Sequence, residues 1–237
     1  MKYFLISMFD EHSIVMKNIH TLRDENCRVF LVQSDDGVGV EESSLEGSVV
    51  EEYWKLPNLA PIISDKKALP SNAIGRNFSF LFTRACRFME KMDETPDLVV
   101  AMVGDTLITD YGSFHRREDE MRNEGVLAMV SQAWGQTFWD RRRQLTREQG
   151  PDVHDFACCI WMMNGAFVRD TKCFSEIDII NEYTSEECLG NELVRNLPDR
   201  DWNRYVRLLN VDNPYHAYSY RDGIVYHAAS GGRPAHR

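Results

Sequence analysis

The sequence lacks any apolar run as long as the ~18 residues that a membrane-spanning helix needs. Its first apolar run ends at Asp10 and Glu11, too early for a secretory signal. None of the six cysteines stands in a Cys-x-x-Cys pair, so no zinc site or redox motif is indicated. These absences favour a reducing compartment, and we expect a cytoplasmic protein without a transmembrane segment.

Basic residues are fewer than acidic ones. The 237 residues include 37 acidic and 27 basic side chains, which leaves a formal net charge of -10. A general nucleic-acid-binding protein would carry a basic face, so we expect no nucleic acid partner. An acidic protein can still bind phosphate through a local positive pocket. No shift in composition marks a domain boundary, and we expect a single domain over residues 1–237.

Short apolar runs alternate with helical patterns, which predicts an α/β fold with a mixed, mostly parallel sheet flanked by helices. Strands are expected at 3–9, 27–33, 98–103, 126–130, 156–163 and 223–227. Helices are expected at 13–25, 71–92, 114–124, 185–196 and 201–209. Residues 37–50 are expected to form an exposed loop, 138–156 a mobile excursion and 228–237 a C-terminal loop.

Acidic residues follow three of the predicted strands. Asp10, the pair Asp35 and Asp36, and Asp105 stand at such ends. Ligands of open α/β sheets bind beyond the carboxyl ends of strands. These carboxylates could contact a ribose or base, hold a divalent metal, or simply form turns. The turn interpretation is preferred for Asp35 and Asp36, and the functional one for Asp105, because it follows the most apolar strand.

Two segments have the chemistry to bind phosphate. Ser71 is a candidate N-cap, and Arg76 lies little more than one turn into the same helix, so this end suits a diphosphate. An ordinary capped helix explains that pattern equally well. His227 ends the last predicted strand and could bind a metal, and Arg233 follows in a Gly-Gly-Arg loop. The alternative for this segment is a disordered tail.

The predicted helix at 185–196 carries carboxylates on either side of Gly190. Glu187 and Glu192 have a spacing that could bring them towards one face of a helix end, where a carboxylate could act as a general base. A charged, solvated helix is the alternative interpretation.

In this order, the features resemble the GT-A fold glycosyltransferases, which use nucleotide-diphosphate sugars. The resemblance covers roughly residues 1–234. It depends on the order of several short patterns: Gly75-Arg76-Asn77 at a helix start, Gly104-Asp105-Thr106 after an apolar strand, the Asn164-Gly165 turn, the acidic helix, and the closing His227 and Arg233. One departure is that the expected Asp-x-Asp metal motif has a single acid, Asp105.

The resemblance implies an enzyme that moves a sugar from a nucleotide-diphosphate donor to a hydroxyl of a carbohydrate or other acceptor. It implies donor-binding roles for Asp10, Asp35, Asp36, Arg76, Asn77 and Arg233. It implies that Asp105 and His227 bind Mn2+ or Mg2+. In an inverting enzyme, Glu192 is the first choice for the general base and Glu187 the second.

The resemblance also implies an acceptor side at Asn164 and Gly165. Trp134 and Trp139, which flank Gly135-Gln136, could form an apolar platform for an acceptor sugar ring. They could equally belong to the core or anchor a loop.

Two other functions compete with this hypothesis. A nucleotidyltransferase that makes sugar nucleotides would need a glycine-rich loop after the first strand, and Phe9-Asp10-Glu11-His12 contains no glycine. A non-catalytic domain that binds a nucleotide or carbohydrate is compatible with the single acid at Asp105.

Overall fold

The computed structural model describes residues 1–8, 11–34, 40–57, 71–132, 157–175, 185–212 and 225–227. The strands are β1 Lys2–Met8, β2 Cys27–Ser34, β3 Val50–Leu56, β4 Leu98–Val103, β5 Thr106–Ile108, β6 Ala128–Gln132, β7 Ala157–Asn164, β8 Val206–Asp212 and β9 Val225–His227. The α-helices are α1 His12–Thr21, α2 Ser71–Met92, α3 Tyr111–Glu124, α4 Gly165–Thr171, α5 Ser185–Asn196 and α6 Trp202–Tyr205. Short 3-10 turns lie at Leu22–Asp24, Glu42–Leu45 and Pro198–Arg200.

The strands form one mixed sheet in the order β3-β2-β1-β4-β7-β6-β8-β9-β5. β1 pairs in parallel with β2 and β4, and β3 pairs in parallel with β2. β7 runs antiparallel to its neighbours β4 and β6, whereas β8 is parallel to β6. β9 lies between β8 and β5, parallel to the first and antiparallel to the second. The expected α/β class with a mixed, mostly parallel sheet is confirmed.

Two hydrophobic clusters cover the two faces of this sheet, because successive side chains of a strand point to opposite faces. Tyr3 and Leu5 of β1 pack with residues of α2, α4 and α5 on one face. Phe4 and Ile6 pack with residues of α1 and α3 on the other. β1 and β4 are therefore buried on both sides, which explains why their sequences are apolar without alternation.

Part of the predicted secondary structure is wrong. The helix expected at 201–209 stops at Tyr205, and β8 occupies Val206–Asp212. Pairing with β6 overrides the local helical spacing, because a strand beside a buried neighbour gains ladder hydrogen bonds and packing. β3 and β5 have no counterpart among the predicted strands.

The described ranges contain no helix that combines the length and the apolar character needed to cross a membrane. Cys27, Cys86 and Cys173 are free thiols. Burial raises the pKa of Cys27 to about 11 and raises that of the other two as well. Thiols with a raised pKa are poor nucleophiles, so these three residues contribute packing.

The edge of the sheet where β1, β2 and β4 begin is called the amino edge, and the opposite edge the carboxyl edge. Because β7 is reversed, it ends at the amino edge, where Asn164 pairs with Leu98. Asn164 Oδ1 accepts a hydrogen bond from Phe167 N at 2.9 Å and caps α4. A Cβ at Gly165 would lie 1.8 Å from the carbonyl oxygen of Pro96. Helix capping and a close backbone approach therefore account for the Asn-Gly pair.

We predict that Gly165→Ala lowers the free energy of unfolding by about 3 kcal/mol, because the backbone at Pro96 has to move to admit the new methyl group. The matched control is Gly112→Ala, whose Cβ would meet only side-chain atoms, Oδ1 of the exposed Asp110 at 3.3 Å and Nη1 of Arg116 at 3.8 Å. Urea unfolding of both variants measures the difference. If Gly165→Ala lowers the free energy of unfolding by less than about 1 kcal/mol, the backbone between Pro96 and the start of α4 moves apart at little cost, contrary to this prediction.

An ion network also lies at the amino edge, where β1 begins. Lys2 Nζ lies 2.9 Å from Glu25 Oε2 and 3.3 Å from Glu118 Oε2. His115 Nε2 lies 3.1 Å from Glu25 Oε1. Burial alone would raise the pKa of Glu25, but the hydrogen bond and charge of Lys2, together with His115, lower it below its ordinary value. The network thus ties the start of β1 to α3 and to the turn before β2.

We predict that Lys2→Met weakens the acid dependence of stability. Because the pKa of Glu25 is lower in the folded chain than its ordinary value of 4.5, the unfolded chain binds more protons in acid. The stabilisation is complete above pH 4.5 and is lost as the pH falls through the folded pKa. Lys2→Met should therefore lose less stability than the wild type between about pH 5 and pH 3 in urea unfolding.

The control for this experiment is Arg122→Met. Arg122 pairs with Glu118 at 3.4 Å and its side chain is exposed, so its removal should leave the acid dependence at the wild-type value. Identical pH profiles for all three proteins would contradict the role assigned to Lys2.

Candidate functional site

The ends of β1 and β4 are joined directly at the carboxyl edge. Gly104, which follows β4, donates its backbone N–H to Ser7 O of β1 at 2.7 Å. A Cβ at Gly104 would lie 2.8 Å from Met8 Cβ and 3.0 Å from Glu11 Oε2, so a side chain there would force the neighbours apart. The close approach fixes the half-buried Asp105 beside the end of β1, with the carboxylate of Glu11 near the same turn.

Asn77 connects α2 to the ends of β1 and β2. Its side chain is 2% exposed, and Nδ2 lies 3.1 Å from Ser7 Oγ and 3.3 Å from Ser34 Oγ. In the part of the chain that the structure describes, Asn77 Oδ1 is buried without a hydrogen-bond partner. A buried acceptor left unpaired costs roughly 1–3 kcal/mol. Such a group is uncommon in native structures, and a water, an ion or a ligand can supply the missing partner.

Arg76 lies beside Asn77 on the same helix and reaches the end of β3. Its Nη2 donates to the carbonyl oxygen of Pro57 at 2.6 Å. Pro57 directly follows Leu56, which pairs with Ser34 at the carboxyl edge. Desolvation lowers the pKa of Arg76, as expected for a cation partly withdrawn from water. A partly desolvated guanidinium at this edge suits an anionic ligand.

Residue 227 is brought to Asp105 by the pairing of β9 with β5. The antiparallel register sets His227 opposite Thr106, the residue after Asp105. Opposed residues in such a pair have Cα atoms about 4.5–5.5 Å apart. Within the described ranges, no group of three His, Cys, Asp or Glu side chains is arranged to hold a metal ion.

Several predicted site residues lie outside the described residues: Asp10, Asp35, Asp36, Trp134, Trp139 and Arg233. The same holds for the segments 138–156 and 228–237. Their roles stay predictions.

Glu192 lies far along α5. Leu189, nearer the start of this helix, lines a small cavity with Phe78, and beyond the end of the helix the chain enters β8 at the amino edge. The carboxylate of Glu192 pairs with Arg195 at 3.0 Å and accepts from Asn196 Nδ2 at 2.9 Å. Both partners lie about one turn nearer the amino edge, so the structure does not bring this carboxylate together with Asp105.

Asn164 and Gly165 also lie apart from Asp105. They stand at the start of β4, whereas Asp105 follows its end, and a strand of this length separates its ends by about 17 Å. The structure therefore gives this turn a role in capping α4 and does not bring it to the edge where Asp105 lies.

Sequence reasoning missed the residues that hold the site together. Ser7 and Ser34 are polar residues at the ends of buried apolar strands, and both bind Asn77. Asn18 is a buried polar residue on the apolar face of α1 and binds β5. The sequence did contain a signal for these three residues, because each is a polar residue within an apolar pattern. A buried polar group requires a hydrogen-bond partner, which marks it as a candidate anchor.

No family model and no curated protein matches the sequence. The structure resembles the crystal structure of mouse xyloside xylosyltransferase 1 in its apo form, with a TM-score of 0.55 and 11% identity over 98% of this chain and 99% of that chain. A mannosyltransferase from Pyrobaculum calidifontis, in complex with GDP-mannose and Mn2+, gives a TM-score of 0.48 and 9% identity over 87% of this chain and 53% of that chain. The second likeness is too slight to carry an argument. The first, together with the mixed sheet, shows that this chain has a GT-A-like fold.

Proposed function

We propose that this protein is a glycosyltransferase that moves a sugar from a nucleotide-diphosphate donor to an acceptor hydroxyl. The observation that carries the proposal is the meeting of Asn77, Asp105 and residue 227 at the carboxyl edge. Open α/β sheets bind their ligands at this edge. A fold alone does not determine a function, but the likeness to a xylosyltransferase makes sugar transfer the first activity to test.

The donor is proposed to lie across the ends of β1 and β2. Asp10 follows β1, and Asp35 and Asp36 follow β2 in the sequence. Asn77 Oδ1 offers an acceptor for an N–H or O–H of the nucleotide, and the Arg76 guanidinium offers a cation for the diphosphate. Together these groups supply both the hydrogen bonds and the charge that a nucleotide diphosphate needs.

Arg233 is proposed as a second cation for the diphosphate. It follows His227 by six residues, and six residues of extended chain span up to ~20 Å. The register of β9 sets the start of this segment beside Asp105. The segment from His227 to Arg233 is proposed to extend from there towards the diphosphate.

Asp105 and His227 are proposed to bind a divalent cation, because their side chains have suitable donor atoms. Asp105 supplies an oxygen ligand and His227 a nitrogen ligand, a pair that favours Mn2+, while Mg2+ is acceptable if diphosphate oxygens complete the shell. Glu11 adds negative charge beside the turn at Gly104. When bound, such a cation stabilises the charge of the leaving diphosphate.

The acceptor hydroxyl needs a base if the reaction inverts the sugar. Glu187 lies in the first turn of α5, near the carboxyl edge, whereas the Glu192 carboxylate is held by Arg195 and Asn196. These contacts favour Glu187 over Glu192 as the general base. Trp134 and Trp139 remain the proposed platform for an acceptor sugar.

The assay that tests the proposal incubates the full chain with a panel of nucleotide sugars and Mn2+, and measures released nucleoside diphosphate. Release that depends on the metal supports sugar transfer, and EDTA should abolish it. Binding of a nucleotide sugar without release would favour the non-catalytic domain. Formation of a nucleotide sugar from a nucleoside triphosphate and a sugar phosphate would favour the nucleotidyltransferase.

We predict that Asp105→Asn lowers metal-dependent release on the order of a hundredfold, because the amide binds a divalent cation more weakly than a carboxylate. The Tm should stay near the wild-type value, because Asp105 belongs to neither hydrophobic cluster. Asp119→Asn is the matched control, since Asp119 is an exposed acid on α3. Equal activities of the two variants would contradict a metal role for Asp105.

A second prediction compares the two carboxylates on α5. Glu187→Gln should lower kcat by about 10²–10⁴, because the acceptor proton loses its base. Glu192→Gln should keep kcat close to the wild-type value, because this carboxylate is engaged with Arg195 and Asn196. Steady-state kinetics of both variants separate the candidates. The reverse result would assign the base to Glu192, and two active variants would exclude both residues from this role.

A further inference from the structure

Asn18 makes two hydrogen bonds to the backbone of β5. Its side chain is 1% exposed, on the face of α1 that also buries Val15 and Ile19. Asn18 Nδ2 donates to Thr106 O at 2.7 Å. Ile108 N donates to Asn18 Oδ1 at 3.3 Å. One buried amide therefore satisfies an acceptor and a donor of the same strand.

These bonds replace a neighbouring strand. β5 pairs with β9 along one side, and the Asn18 amide binds Thr106 O and Ile108 N as one residue of another strand would do. Thr106 is 0% exposed and Ile108 is 5% exposed, so water has little access to these groups. Without Asn18 the two backbone groups would each lose one hydrogen bond in a buried setting, which is costly.

The strand held by Asn18 positions both proposed metal-binding residues. Asp105 immediately precedes β5, and the β5–β9 register sets residue 227 opposite Thr106. On the other side of Asp105, Gly104 N is bonded to Ser7 O. Asp105 therefore lies between two anchors, one on β1 and one on α1.

We propose that Asn18 is a positioning residue of this site, which holds β5 in place so that Asp105 and His227 can share one divalent cation. This inference rests on the function proposed above. Asn18 itself contacts backbone groups of β5, and it acts on the cation through the placement of the two ligands. Substitution of residues that orient metal ligands typically lowers metal affinity by about 10–100-fold.

The test compares Asn18→Ala with Ile19→Ala in the full chain. Ile19 is the next residue of α1 and is equally buried, but its side chain only packs in the core. The probe is Mn2+, titrated in the presence of UDP or GDP. Asn18→Ala should weaken Mn2+ binding about tenfold. Nucleotide binding without Mn2+ should stay within about twofold, because the donor contacts at Asn77 and Arg76 are separate from β5.

Hydrogen exchange provides a readout that needs no ligand. The amides of residues 106–108 should exchange faster in Asn18→Ala than in Ile19→Ala, because Ile108 N loses its acceptor. Asn18→Gln keeps the amide and should recover part of the Mn2+ affinity that Asn18→Ala loses. It also serves as the test variant if Asn18→Ala does not fold.

Three outcomes would count against the inference. Wild-type Mn2+ affinity in Asn18→Ala overturns the positioning role and leaves the proposed function standing. Equal losses in Asn18→Ala and Ile19→Ala also overturn it, because general destabilisation then explains both. If the wild-type chain does not bind Mn2+ in the presence of UDP or in the presence of GDP, the proposed metal-dependent function fails. The role of Asn18 in that function then fails as well.

Discussion

The hydrogen bonds of Ser7 connect the elements that form the carboxyl edge. Its carbonyl oxygen accepts from Gly104 N, and its hydroxyl oxygen accepts from Asn77 Nδ2. One residue of β1 therefore fixes both the turn that carries Asp105 and the first part of α2. Ser7 is 5% exposed, so these bonds are shielded from water and hold their partners rigidly. The geometry of the candidate site depends on this point.

The two edges of the sheet differ in how well their polar groups are satisfied. At the amino edge, Lys2 and Glu25 are paired and Asn164 caps a helix. At the carboxyl edge, Asn77 Oδ1 lacks a partner among the described residues, and Arg76 is partly desolvated. Proteins tolerate destabilising groups of this kind where a bound ligand offsets the cost. Here the core, which is buried on both faces of the sheet, supplies the stability that allows these groups. The amino edge thus stabilises the fold, and the carboxyl edge is where we propose that the donor binds.

Much of the fold could be predicted because its central strands are apolar and its long helix is amphipathic. β1, β4 and α2 follow directly from these patterns. β3 could not be found in this way, because its alternation is weak and it lies at a sheet edge. β5 has only three residues, and β8 has a spacing that also fits a helix, so in both cases the pairing partner decides the structure. The sequence indicates candidate site residues such as Asp105 and His227, whereas the hydrogen bonds of Ser7 and Asn18 could be identified only from the tertiary structure.

The pairing of Thr106 with His227 joins positions more than one hundred residues apart. Contacts of such long sequence separation form late in folding, because a long loop must close before they stabilise the chain. β1 pairs with β2 over a much shorter separation, Lys2 opposite Cys27, and these strands belong to the buried core. An intermediate in which the core strands have assembled but β9 has not docked would carry Asp105 in place without His227. On the metal role proposed above, docking of β9 against β5 is therefore the step that completes the pair of cation ligands.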